Sequence, residues 1–246
     1  MSSNGSVFSR LRKLIGEERR VGVATRIDAA GLGTQRLILP DEDGEGSLGL
    51  DADTEAAALT SCRELLAVGS SRAFELPGPA GPVEIFFESH EPPQRLVVVG
   101  AVHVAVPLVA IAKAMGFHTI VVDARAVYAT RERFPHADEL IVRWPADALK
   151  EMTLHESTYL VFLTHDPKLD NPGLEIAVRS RARYVGALGS KKTHAKRATA
   201  LGEMGLDAAE IERIHAPIGI KIGGSRPEEI AVSIAAEMVA ARNGRA

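Results

Sequence analysis

The stretch Leu96-Val97-Val98-Val99-Gly100-Ala101-Val102-His103 decides how this chain is read. Four apolar residues in a row followed by a glycine look like a strand of a parallel sheet, which is covered on both faces and so need not alternate. A helical pattern follows as far as Met115 and stops at Gly116. Gly100, His103 and Pro107 interrupt the apolar run over 96–112, so it reads as strand, turn and helix rather than as a membrane span. A proline is tolerated where its N–H would be unpaired anyway, and Pro107 therefore places the start of the regular helix near Val104.

Downstream the period keeps switching. Strands are expected at 118–122, 139–142, 159–163 and 183–188, with helices at 145–152, 171–180, 191–204 and 227–243. This alternation predicts a Rossmann-like, doubly wound parallel sheet over 95–246. Upstream, Glu91-Pro92-Pro93-Gln94 reads as a linker, because neither proline can extend a helix or a ladder. Before it, residues 1–90 read as a smaller α+β domain. The expected parts are a helix at 7–15, strands at 21–27 and 36–39, a turn at 41–46, an Asp53-capped helix reaching Val68, and strands at 72–76 and 83–87.

A formal net charge of -3 lacks the basic surplus of proteins whose main partner is nucleic acid or an anionic membrane. Cys62 is the only cysteine, so no internal disulfide and no cysteine-ligated metal centre is expected, and the reducing cytoplasm is the natural compartment. Residues 1–20 have no apolar run suited to a signal peptide. A Gly-x-x-x-x-Gly-Lys-Ser/Thr loop and a Gly-x-Ser-x-Gly elbow are both missing, which argues against a P-loop ATPase and an α/β-hydrolase.

Ligands of open parallel sheets lie outside the carboxyl ends of the strands, so the residues that follow each strand are the candidates. Gly100, Ala101 and His103 form a dinucleotide-type turn that keeps only its first glycine, with Val102 where close approach needs a second. Asp123 ends the next strand 23 residues beyond Gly100, near the spacing of about 20 at which an acid accepts from a ribose hydroxyl. The fourth strand ends in Thr164-His165-Asp166, a pair suited to acid–base work, to a metal, or to turn chemistry alone. Gly189, Ser190, Lys191 and Lys192 open a helix and can cradle an anion or simply cap it. The segment His215-Ala216-Pro217-Ile218-Gly219 implies no known chemistry by its spacing.

Taken in order, Val98-Val99-Gly100-Ala101-Val102-His103-Val104-Ala105, Val121-Val122-Asp123-Ala124-Arg125, Phe134-Pro135-His136-Ala137-Asp138-Glu139, Leu163-Thr164-His165-Asp166-Pro167-Lys168-Leu169-Asp170 and Tyr184-Val185-Gly186-Ala187-Leu188-Gly189-Ser190-Lys191-Lys192 resemble the XdhC/CoxI family. The likeness ends with Ile214-His215-Ala216-Pro217-Ile218-Gly219 and Pro227-Glu228-Glu229-Ile230, and covers roughly 96–240. It implies an accessory factor, more a maturation chaperone than a turnover enzyme. Such a factor binds the molybdenum cofactor, a molybdopterin that can be in dinucleotide form, and delivers it to an apo molybdenum hydroxylase of xanthine dehydrogenase or carbon monoxide dehydrogenase type. The implied partners are the large subunit of that hydroxylase, a cysteine desulfurase and further copies of the chain. It also implies that Gly100, Ala101, His103, Asp123, Arg125, His165, Asp166 and the Gly189–Lys192 segment face the ligand, with no metal ligands and no assigned catalytic residue. The family's N-terminal Arg-Gly-Ser-Ser-Pro-type and Gly-Gly-Cys-Val-Glu-type loops correspond here to Ala29-Ala30-Gly31-Leu32-Gly33-Thr34 and Ser47-Leu48-Gly49-Leu50-Asp51, and the loop cysteine is absent. The competing reading is an NAD(P)-dependent oxidoreductase that uses the same Rossmann pattern.

Overall fold

Hydrophobic alternation is clearest where the strand Gly81–His90 buries Val83, Ile85 and Phe87 and exposes the residues between them. This strand belongs to the first of two compact units, Met1–Pro92 and Pro93–Ala246. The computed structural model describes residues 3–245. In chain order the first unit comprises α1 (Ser3–Gly16), β1 (Val21–Arg26), β2 (Gln35–Ile38), α2 (Ala52–Ala67), β3 (Arg72–Gly78) and β4 (Gly81–His90). Its sheet is antiparallel in the order β2-β1-β4-β3. Ala58, Cys62, Leu65 and Leu66 of α2 cover one face, while Val7 and Leu14 of α1 cover the other.

The cap of α2 differs from expectation. Asp51, not Asp53, stands at the N-cap in extended geometry and accepts the Thr54 N–H at 3.1 Å. Asp53 lies inside the first turn, where its charge complements the helix dipole. The stretches 29–34 and 47–51 come together: Thr34 Oγ1 donates to the Leu48 carbonyl at 2.9 Å, and Arg26, paired with Asp28 at 2.6 Å, reaches the Gly49 carbonyl. Cys62 is fully buried, and burial pushes its thiol up to about 12, as for a core residue rather than a nucleophile.

The second unit runs β5 (Arg95–Val99), α3 (Ala105–Ala114), β6 (His118–Val122), β7 (Glu139–Ile141), α4 (Pro145–Glu151), β8 (Thr158–Phe162), α5 (Pro167–Arg179), β9 (Tyr184–Ala187), α6 (Lys191–Glu203), α7 (Ala208–Glu212), β10 (Ile214–His215) and α8 (Pro227–Arg242). Its six strands are parallel in the order β10-β9-β8-β5-β6-β7. The chain moves outward from β5 to β7 and then returns to place β8 on the other side of β5. That reversal makes the β5–β8 junction the topological switch point of a Rossmann fold. Every residue of β8 is buried, as the unbroken apolar run required. Leu108 and Val109 of α3 pack with Ile234 and Met238 of α8 on one face. Leu149 of α4, Leu174 of α5 and Leu201 of α6 pack on the other.

Candidate functional site

The β5–α3 turn begins at Gly100, whose φ is +108°. A side chain there would be strained by its backbone and would also collide, since a Cβ would lie 2.7 Å from Thr164 Cγ2. The turn leads into α3 with no side-chain cap. The N–H groups of Val102, His103 and Val104 make no hydrogen bond among the described residues, so the helix presents an open, positively polarised end.

That end faces a pocket of about 660 Å³ outside the carboxyl ends of β5 and β6. Its walls are Ala101, Val102, His103, Val106 and Pro107 from the turn and α3, Arg125, Val127, Tyr128 and Arg133 from the segment after β6, and Pro227 and Glu228 at the start of α8. The volume lies within the range of roughly 300–1,000 Å³ typical of small-molecule sites.

Asp123 is 1% exposed and is not among the pocket's lining residues. Oδ2 accepts from the Ala101 N–H at 2.8 Å and from Arg125 Nη2 at 2.8 Å, while Oδ1 accepts from Arg125 N–H and Nε, each at 2.9 Å. Burial alone would raise this carboxyl, but the Arg125 guanidinium and the two backbone donors outweigh it and hold it below its ordinary value. The acid therefore binds the turn to Arg125, whose own pKa is raised chiefly by the Asp123 hydrogen bonds and in small part by Asp166 nearby.

Arg125 lies over the Tyr128 ring at 4.6 Å, and Arg133 approaches the same ring at 5.8 Å. Arg133 Nη1 also donates to the carbonyls of Ala101 and Tyr128, each at 2.8 Å. The Ala101 peptide is thus fixed at both its N–H and its C=O, and two guanidinium groups are held at the pocket by the chain's own contacts. What results is a concave, mainly apolar pocket whose lining carries two guanidinium groups and one carboxylate, Glu228.

Of the residues singled out in the sequence, Ala101, His103 and Arg125 line this pocket, and Gly100 and Asp123 support it from behind. His165, Asp166, Gly189, Ser190, Lys191 and Lys192 are not among the lining residues. They lie at the carboxyl ends of β8 and β9, where α5 and α6 begin. His165 has φ +61°, and Asp166 caps α5 by accepting the Lys168 N–H at 2.9 Å. Ser190 caps α6 through Thr193 N–H, while Lys191 and Lys192 are exposed. Arg133, Tyr128 and Glu228 were missed as site residues. Arg133 and Tyr128 come from irregular backbone between β6 and β7, and a tyrosine three residues beyond the strand-end Asp-x-Arg was the only signal.

Residues 96–238 match the family model described as the XdhC Rossmann domain, which is more than half of the chain. The chain belongs to the XdhC family. It is 34% identical over 158 residues to a protein of Bacillus subtilis named as a probable xanthine dehydrogenase subunit, covering 64% of this chain and 46% of that protein. Over 99 residues it is 33% identical to the molybdenum cofactor insertion chaperone PaoD of Escherichia coli, covering 40% of this chain and 30% of PaoD. This XdhC-family chain thus spans less than half the length of either curated relative. A crystal structure of a xanthine dehydrogenase from Bacillus halodurans aligns with all of the chain and 69% of its own, at 25% identity and a TM-score of 0.69. No helix among the described residues is long and apolar enough to cross a membrane.

Proposed function

We propose that this XdhC-family chain is a maturation factor that binds the molybdenum cofactor and passes it to an apo molybdenum hydroxylase. The observation that carries the reading is the anion pocket at the open α3 terminus, in a chain whose relatives include a named cofactor insertion chaperone. The residues present fit a pterin that carries a phosphate. The N–H groups of Val102, His103 and Val104 and the guanidiniums of Arg125 and Arg133 are donors for the phosphate. Val106, Pro107, Val127 and Pro227 offer apolar walls to the ring system, and Glu228 offers an acceptor for ring N–H groups. When bound, the cofactor supplies the redox chemistry that the client enzyme uses; the role of this chain is to hold, orient and shelter it. Gly189, Ser190, Lys191 and Lys192, with His165 and Asp166, are a second anion-binding candidate at the same sheet edge, available to a dinucleotide form. Hand-over to the large chain of the hydroxylase, contact with a cysteine desulfurase and self-association belong to the same proposal.

The test is direct binding. Purified chain is mixed with molybdenum cofactor released from a hydroxylase, passed through gel filtration, and assayed for co-eluting pterin by the fluorescence of its oxidation product. Co-elution is expected. Arg133→Ala should weaken binding roughly tenfold, as for one lost charge-assisted bond. Parallel titrations with NADH and NADPH address the oxidoreductase reading: the open Rossmann turn favours it, but the engaged Asp123 leaves no carboxylate oxygen free for a ribose. Dinucleotide binding without pterin retention would replace the proposal with that reading.

A further inference from the structure

Behind the pocket, the β8–α5 turn comes against the β5–α3 turn at Gly100. Thr164 occupies the space that a Cβ on Gly100 would need, with its Cγ2 at 2.7 Å and its N at 3.1 Å from that position. Two hydrogen bonds fix the rotamer of Thr164: Oγ1 donates to Asp170 Oδ1 at 2.7 Å and accepts the Asp166 N–H at 3.0 Å. Asp170 is 1% exposed, and Arg197, 7% exposed, brings Nη2 to 3.9 Å from its Oδ2. Arg197 is anchored in turn by donating to the Leu188 carbonyl at 3.0 Å, at the end of β9. Asp170 Oδ2 and Arg197 Nη1 are buried without a hydrogen-bond partner. At 3.9 Å the pair is held by charge and not by a formed hydrogen bond, so it depends on the ionisation of Asp170.

We infer that Asp170 is a positioning residue for the anion pocket: through Thr164 it sets the height of the Gly100 turn, and so the presentation of the Val102, His103 and Val104 N–H groups. The inference rests on the proposed function only in requiring that the pocket bind an anion. Ionised, Asp170 is drawn toward Arg197 and holds Thr164 against Gly100. Neutral, it keeps the Thr164 bond but loses the pull of Arg197, and the turn loosens. The charged groups nearest Asp170 are Arg197 of α6 and, from the β8–α5 turn, His165 and Asp166, with His194 of α6 beside Arg197. Burial raises the Asp170 carboxyl above its ordinary value, more than Thr164, Arg197 and His165 lower it. Loosening therefore begins at a higher pH than for an exposed aspartate.

The test uses the full chain and sulfate, whose charge is constant over the mildly acidic to neutral range, with affinity measured by calorimetry at several pH values. Asp170→Asn fixes the relay in its uncharged form. It should bind sulfate several-fold more weakly than wild type at neutral pH, and the gap should close on acidification as wild-type Asp170 takes up its proton. The comparison is between variants at each pH, so titrations common to both proteins cancel. Thr164→Val, which keeps the contact with Gly100 and cuts the link to Asp170, should bind sulfate as weakly as Asp170→Asn, with a gap to wild type that likewise closes on acidification. Thr164→Ser, which keeps the link to Asp170 but loses the methyl that meets Gly100, should bind weakly too; the pair breaks the relay at either end and preserves the test if the Asn variant folds poorly, and either variant binding like wild type overturns the relay. A gap that is equal at all pH values marks a merely structural role and overturns the relay, as does no gap at all. Wild type that fails to bind sulfate overturns the anion pocket and the relay together, whereas binding without a pH-dependent gap overturns the relay alone.

Discussion

At the scale of single residues, the pocket walls are held by groups that do not themselves line it. Asp123 is the clearest case: the spacing from Gly100 suggested a ligand-facing acid, yet every bond it makes is internal. Asp123→Asn would leave Arg125 without its counter-ion and turn an amide donor toward the Ala101 N–H or the guanidinium. Because Arg125 is 39% exposed and water can recover part of its solvation, the expected cost is about 2–3 kcal/mol rather than the roughly 3–5 kcal/mol of a wholly buried pair. Urea denaturation of both proteins measures it. The pH dependence has a defined sign. The folded-state pKa of Asp123 is lowered, so its contribution is full above the ordinary carboxylate value of about 4 and is lost as pH falls through the lowered one. The stability gap between wild type and variant should therefore be constant near neutrality and shrink in strong acid; a gap that persists unchanged there would remove the ion pair as its cause.

At the scale of elements, the turn after β5 is where local rules and function meet. Gly100→Ala meets two obstacles, a backbone at φ +108° and a Cβ 2.7 Å from Thr164. The strain of a non-glycine residue in that region is of order 1–3 kcal/mol, so Gly100→Ala should lower the melting temperature and weaken anion binding together. Melting unchanged by the substitution would mean the turn relaxes at no cost and is no rigid platform. The elements that were legible are those with a period and punctuation: β5, β6 and β8 as apolar runs, α4 and α8 opened by Pro145 and Pro227. The illegible ones are short. β10 is two residues paired with β9, and α7 is five residues capped by Asp207, so neither supplies enough sequence for a period to emerge. α5 begins at Pro167 and not near Asn171, with Pro167 at its first turn and Pro172 inside it. The site shows the same division. Gly100, His103 and Arg125 follow strands and could be read, whereas the relation of Thr164 to Asp170 and Arg197 depends on the packing of α5 beside α6 and has no local trace.

At the scale of the molecule, the antiparallel and parallel sheets each carry their own hydrophobic clusters, and no described residue of the first unit lines the pocket. The switch point, the open α3 terminus, both pocket arginines and the Asp170 relay all lie between Pro93 and Ala246. A domain of about 150 residues buries enough surface to fold alone. Residues 93–246 expressed by themselves should therefore melt cooperatively and bind sulfate with an affinity within about threefold of the full chain, since about 1.4 kcal/mol of altered contact would be needed for a tenfold change. Circular dichroism against temperature and calorimetry on the two proteins decide the matter. A fragment that melts without cooperativity would mean that the second unit takes stability from the first. One that folds but loses affinity by about tenfold or more would mean that the first unit shapes the pocket from outside its walls. The expected result would mark residues 93–246 as a self-sufficient binding unit and leave residues 1–92, with the stretch Ser47-Leu48-Gly49-Leu50-Asp51, to a role other than forming the pocket walls.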